Sequence, residues 1–211
     1  MKKICFFTGS RSEYHLSKNL IKQFLKSKNF NTKLIVSGSH LSKKFGNTIS
    51  DILADKINPS FLIKINDKLN SASEISDSLS LILKKSNLFL QKNKPDLMFL
   101  VGDRYETFCI GLSCLILNIP IAHIHGGELT EGSYDDNLRH ALTKFSHFHF
   151  VSNNIFKKRV IQLGEQPKNV FVVGGLGVDN IKKTKLLSKK ILIKKFKLKK
   201  INFLVTFHPS T

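Results

Sequence analysis

The chain has 211 residues, 41% of them hydrophobic, and a formal charge of +19 from 34 lysine and arginine residues against 15 acidic ones. That length suits one good-sized domain, or one domain and part of another, with enough apolar content for a core. No apolar run reaches the ~18 residues of a membrane span, and the charge is scattered lysine without aromatic interleaving, an RNA-recognition signature or finger spacing, so neither a membrane protein nor a nucleic-acid binder is expected.

The start, MKKICFFTGSRSEY, begins like a signal peptide, but its apolar run is too short and polar residues follow at once. A first core strand over Lys3–Thr8 in a cytoplasmic protein is the expectation. Helical spacing of Leu16, Leu20, Phe24 and Leu25 predicts a helix from Glu13 to Lys28. A strand over Lys33–Ser37, a helix over 41–56 and a strand over Phe61–Ile65 follow. Ile75, Leu79, Ile82, Leu83, Phe89 and Leu90 mark a long helix over 73–93, closed by Pro95. DLMFLVGD is then a near-continuous apolar strand of the kind buried on both faces of a parallel sheet. The alternation goes on with a helix over 105–118, a strand over 121–125, a helix over 136–146, a strand over 148–152, a helix over 154–163 and a strand over 169–173. The lysine run at 182–200 mixes with Ile, Leu and Phe and reads as a solvated helix face, and INFLVTFHPST begins another apolar strand. Strands separated by single helices predict an α/β fold with a doubly wound, Rossmann-like parallel sheet. The chain stops in the turn after its last strand, which suggests truncation at the start of a second domain.

Cys5, Cys109 and Cys114 lack any CxxC spacing and read as core thiols of a reducing compartment. Arginine is scarce: Arg11, Arg104, Arg139 and Arg159 are the only four. Three of them fall in GSRSEY, VGDRYE and NLRHA, where a guanidinium fork suits a phosphate.

In open parallel sheets ligands bind beyond the carboxyl ends of the strands. Polar clusters fall at four predicted strand ends: Thr8-Gly9-Ser10-Arg11, Gly102-Asp103-Arg104, His125-Gly126-Gly127-Glu128, and His208. Backbone N–H groups and one arginine in GSRSEY suit a phosphate at a helix start, although the stretch is neither a P-loop nor a GxGxxG fingerprint. An N-capped helix start remains an equal reading there. His123 and His125 are taken to face opposite sides of their strand, so they are not expected to chelate one metal ion together. Gly126-Gly127 would let the backbone approach a ligand closely. Asp135 and Asp136 are read either as helix N-caps or, beside Arg139 and His140, as acid/base groups near a phosphorylated leaving group.

Taken together, SRSEY, VGDRYET, IAHIHGGELTEG, YDDNLRHALTKFSHFHF, KKRVIQLGEQPKNVFVVG and VTFHP resemble the hydrolysing UDP-N-acetylglucosamine 2-epimerases of the sialic and legionaminic acid branch. The resemblance implies the N-terminal half of a GT-B type two-domain fold. Residues 1–180 would be a Rossmann-like domain, and residues 181–211 a linker helix and the first strand of an incomplete nucleotide-binding domain. It implies elimination of UDP followed by hydration, with no cofactor and no metal, a UDP-sugar as partner, a homodimer, and little turnover by this chain alone. Asp103 and Asp135 would be catalytic carboxylates, with Asp136 as the alternative to the second. Glu128 or His125 would replace a glutamate that relatives carry at the position of His125, and His208 would assist the leaving diphosphate. Arg11, His15, Arg104, His123 and Arg139 would contact nucleotide or sugar. A GT-B glycosyltransferase and a non-catalytic nucleotide-sugar-binding module are the competing readings.

Overall fold

The computed structural model describes residues 1–66 and 71–206. Seven parallel strands form one sheet: β1 (Lys2–Thr8), β2 (Phe30–Ser37), β3 (Phe61–Ile63), β4 (Leu97–Val101), β5 (Ile121–Ile124), β6 (Phe148–Val151) and β7 (Val170–Val172). Their order is β3-β2-β1-β4-β5-β6-β7. The chain therefore winds outward from β1 in one direction, returns to β4 beside it, and winds outward in the other. The doubly wound expectation holds.

Period-two alternation explains why the sheet is covered on both sides. Along β1, Cys5 and Phe7 join one apolar cluster while Ile4 and Phe6 join the other. The first cluster is completed by Ile82 and Leu90 of α3 (Ala72–Asn93), by Cys109, Ile110 and Cys114 of α4 (Tyr105–Ile116), and by Leu142 of α5 (Asp135–Phe145). The second is completed by Tyr14 and Ile21 of α1 (Arg11–Lys26) and Ile52 of α2 (Ile49–Ala54). A smaller cluster, Val151, Val160 and Val170, packs α6 (Asn154–Gln162) under the β6–β7 edge. All three cysteines are free and buried; burial pushes the Cys5 thiol up to about 12. Among the described residues no helix is long and apolar enough to cross a membrane.

Two expectations fail locally. The helix over 41–56 is reduced to a 3-10 turn at Gly38–Leu41 and the short α2. Between them Gly46 (φ +85°) and Asn47 (φ +48°) adopt left-handed backbone that a right-handed helix does not accommodate. After α7 (Leu176–Lys183) the lysine-rich segment forms the expected solvated helix, α8 (Lys189–Phe196), but no strand follows within residues 202–206. Phe203 and Leu204 there are 91% and 97% exposed: an apolar stretch with no strand beside it has no ladder to join. The remainder of that predicted strand and His208 lie outside the described residues.

Candidate active site

The crevice between the ends of β1 and β4 is the switch point of the sheet. On the β1 side, α1 starts with a capping box: Ser10 Oγ accepts from Glu13 N–H, and the Glu13 carboxylate reaches back to the cap. Glu13 Oε2 accepts from Gly9 N–H at 2.6 Å and from Ser10 N–H at 3.1 Å. Those are the amides that the sequence offers to a phosphate, and the chain's own carboxylate occupies them. Any anion here must be held by Arg11, Ser12 and groups across the crevice.

Two adjoining cavities open at this crevice. The first, about 490 Å³, is lined by Arg11, His15, Ser39, Phe45, Arg104 and Tyr105 among others. The second, about 330 Å³, is lined by Asp103, Arg104, His125, Glu128, Asp135 and Arg139, with Glu13 in its wall. Ser12 and Arg104 line both. Groups separated by more than a hundred residues thus meet at one rim.

Within the second cavity Arg139 is a structural hub. Its Nη2 pairs with Asp103 and donates to Thr130 Oγ1 at 2.7 Å, while Nη1 donates to the Glu128 carbonyl at 2.7 Å and to Asp136 Oδ1 at 3.0 Å. With these acceptors the guanidinium orients carboxylates and the 128–136 loop; it is not the phosphate fork expected from NLRHA. Asp135 and Asp136 depart from the N-cap reading as well. The cap positions of α4 and α5 are Arg104 and Tyr134, neither with a side-chain cap bond. Asp136 Oδ1 instead accepts from Thr130 N–H at 3.1 Å.

His123 is fully buried and lines neither cavity. Its Nε2 meets the Gly102 carbonyl at 2.8 Å and its Nδ1 meets Thr143 Oγ1 at 3.3 Å, so it braces the β4 turn from beneath. Burial drives its pKa down to about 4, which keeps the imidazole neutral. Residues two apart on a strand share a face, so alternation does not separate His123 from His125. The separation comes from His125 itself, which lies past the end of β5 with φ +68°. His125 Nδ1 meets Glu128 Oε1 at 2.7 Å, and its Nε2 is buried without a hydrogen-bond partner among the described residues. The glycine pair beside it serves packing. A Cβ at Gly127 (φ +78°) would stand 2.6 Å from the Phe156 carbonyl of α6, so the close approach is to a helix.

The electrostatics divide the acids. Burial pushes the Asp103 carboxyl above the ordinary range, against the pull of Arg139, and the charge of Asp135 adds to the rise. Burial works in the same direction on Glu128, but hydrogen bonds from His125 and Ser152 and nearby positive charge hold it below the usual value. Two carboxyls whose proton affinities are pushed in opposite directions, in one cavity, form a pattern suited to acid/base work.

Two further acids of the site, Glu13 and Glu106, differ in how far the sequence reveals them. Glu13 was legible, three residues after Ser10 in the S-x-x-E pattern of a helix start. Glu106 has no such signal. It is buried beside Arg104, to which it is joined by bonds of 3.0 and 3.1 Å.

The profile of the UDP-N-acetylglucosamine 2-epimerase family matches residues 22–211. The chain belongs to this family. A Campylobacter jejuni member, named GDP/UDP-N,N'-diacetylbacillosamine 2-epimerase (hydrolyzing), is 39% identical over 215 residues, taking in 100% of this chain and 55% of that protein. Polysialic acid biosynthesis protein P7 of Escherichia coli is 40% identical over 212 residues, 100% of this chain and 54% of that protein. The chain therefore spans about half the length of these curated relatives. In fold it is similar to the UDP-GlcNAc 2-epimerase of Neisseria meningitidis solved with UDP-GlcNAc, with TM-score 0.73, 21% identity, and coverage of 94% of this chain and 51% of that one. The match to half of such two-domain structures agrees with the N-terminal half of a GT-B type arrangement.

Proposed function

We propose that this chain carries the acid/base half of a hydrolysing UDP-sugar 2-epimerase, acting in the cytoplasm on a UDP-activated 2-acetamido sugar that leads to a nonulosonic acid. Residues 1–180 would form the sugar-binding domain, and residues 181–211 would lead into a second, nucleotide-gripping domain. The observation that carries the reading is the meeting of Asp103, Asp135 and the His125–Glu128 pair in a cavity that shares its Arg104 wall with the Arg11 and His15 cleft.

In the proposed reaction a base takes the C2 proton while the bond from C1 to the diphosphate oxygen breaks. This gives an unsaturated 2-acetamidoglucal and UDP. Water then supplies hydroxyl to C1 and a proton returns to C2 on the opposite face. In this reading Asp103, His125 and Asp135, which line one cavity, would transfer the protons, and Arg11 and Arg104 would offer positive charge to the departing diphosphate. The names of the similar proteins support both a diacetylbacillosamine and an N-acetylglucosamine substrate class.

The test fuses residues 1–180 to the second domain of the Campylobacter relative and follows the reaction in heavy water. UDP release with deuterium at C2 of the freed sugar is expected, and Asp103→Asn is expected to lower the rate at least ~100-fold. Sugar transfer with the C2 hydrogen retained would identify a glycosyltransferase instead. The 211-residue chain alone is expected to bind the nucleotide sugar with little or no turnover.

A further inference from the structure

Beneath both cavities lies a polar cluster that the reaction leaves unused. Glu106 is 1% exposed and Glu13 6% exposed. Removing two carboxylates from water is costly unless each is paired or hydrogen-bonded. Glu106 grips Arg104 through two points, Nε to Oε2 at 3.0 Å and Nη2 to Oε1 at 3.1 Å. Such a fork fixes the plane of a guanidinium as well as its position. Glu13 is held by neutral donors: the Gly9 and Ser10 amides on Oε2, and the Thr107 hydroxyl on Oε1 at 3.3 Å. The loop after β2 seals the pair. A Cβ at Gly38 (φ +59°) would stand 2.4 Å from the Gly9 carbonyl oxygen and 2.6 Å from Glu106 Oε1, so only glycine lets that loop close.

Among the described residues Arg104 is thus the one cation that lines both cavities, and its orientation and the field it presents depend on what lies behind it. We infer that Glu13 and Glu106 are positioning residues for the diphosphate: Glu106 fixes the Arg104 guanidinium at the wall between the cavities, and Glu13, by gaining or losing a proton behind it, sets how much positive charge that wall presents. The inference rests on the functional reading above. Burial raises the Glu13 pKa to about 7, the charge of Glu106 adds to the rise, and Arg104 opposes it. Across the second cavity Glu13 also faces Asp103, His125, Glu128, Asp135 and Arg139. As pH rises through 7, Glu13 gains a negative charge behind Arg104 and the field offered to a diphosphate weakens.

Two substitutions separate geometry from charge. Glu106→Asp keeps the charge but shortens the reach by one methylene, so the two-point grip is lost. Glu13→Gln removes the titrating charge yet keeps a side chain that completes the capping box. The measurements are the affinity of the 211-residue chain for UDP-N-acetylglucosamine from pH 6 to 8.5, and the slow-exchanging Nε–H resonance of Arg104 by NMR. The diphosphate diester of this probe does not titrate in that range. The imidazoles of His15 and His125 also line the cavities and stay in place in both variants.

The unaltered chain is expected to bind roughly five- to ten-fold more weakly at pH 8.5 than at pH 6, as a buried charge several ångströms from the ligand predicts. Glu13→Gln should flatten most of that slope and retain the Arg104 signal. Glu106→Asp should lose the Arg104 signal and bind roughly ten-fold more weakly across the range. An identical pH slope in Glu13→Gln, or an unchanged Arg104 resonance in Glu106→Asp, overturns the inference and leaves the functional reading standing. No saturable binding by the unaltered chain at any pH overturns both.

Discussion

At the scale of single residues, the proposed chemistry bears most heavily on His125. Left-handed backbone at a histidine costs on the order of 1–3 kcal/mol and persists only where surroundings over-determine it. Here the His125 amide donates to the Phe150 carbonyl at 3.0 Å, and Nδ1 meets Glu128 at 2.7 Å. Glu128, held below the usual carboxylate range, suits an acceptor for a hydrogen bond from Nδ1–H, which would leave the buried Nε2 as the ring's acceptor nitrogen. His125→Gln should therefore lower kcat of the fused enzyme ~100-fold or more, while Glu128→Gln, which removes the charge but keeps an acceptor, should cost only about ten-fold. The opposite ranking would make Glu128 the base. The sequence shows both residues and the three-residue spacing between them. It does not show how the two are oriented at the cavity that both line, because that is decided by a φ angle just past a strand end. The same holds for Arg139, whose residue type suggests phosphate but whose partners are Asp103, Asp136 and the loop.

At the scale of elements, the long periodic segments and the short strands β3, β5, β6 and β7 were legible, while the 41–56 segment and the stretch after Lys200 were not. β1, α1, α3, β4 and α4 carry enough apolar repeats that both type and limits follow from spacing. The 41–56 segment has helical spacing too, but its left-handed Gly46 and Asn47 break it, and turn geometry outweighs periodicity over so few residues. The apolar stretch after Lys200 resembles a strand because β-propensity reads side chains, while a strand also requires a neighbour. Connections matter to the site in one particular place, the β5–α6 contact. Gly127 has φ +78°, and a Cβ there would meet the Phe156 carbonyl at 2.6 Å and Val160 Cγ2 at 2.9 Å. Gly127→Ala combines backbone strain with a clash against a helix backbone, so a loss of about 2–4 kcal/mol in chemical denaturation is expected. The adjoining residue is Glu128, so the same change should also displace the His125–Glu128 bond and lower the rate. A variant of unchanged stability would show that α6 can retreat without cost.

At the scale of the whole molecule, three buried groups give stability a pH dependence that no surface count of lysines predicts. His40, held between Thr8 Oγ1 at 3.0 Å and Thr48 Oγ1 at 2.9 Å, is driven by burial down to about 4, and His123 is driven to about 4 in the same way. Their folded pKa values lie below that of an unfolded histidine, near 6.5, so the unfolded chain binds more protons between pH 6.5 and 4. Their contribution is complete above pH 6.5 and is lost as pH falls toward 4. Glu13 has the opposite sign. Its folded pKa of about 7 lies above the ordinary 4.5, so its contribution is complete below pH 4.5 and is lost as pH rises to 7. Each group is worth on the order of 3 kcal/mol across its window. Acidification from pH 7 to 4.5 therefore draws on the two histidines while Glu13 partly offsets the loss. Glu13→Gln removes that offset and leaves the histidines, so its stability should fall more steeply with acid than that of the unaltered chain. The difference between the two denaturation curves should shift by about 3 kcal/mol in favour of the unaltered chain between pH 7 and pH 4.5. Carboxylates elsewhere titrate identically in both chains and cancel from the comparison. Parallel curves would mean that Glu13 is ionised throughout, and the buried pair beneath Arg104 would then carry its full negative charge at every pH tested.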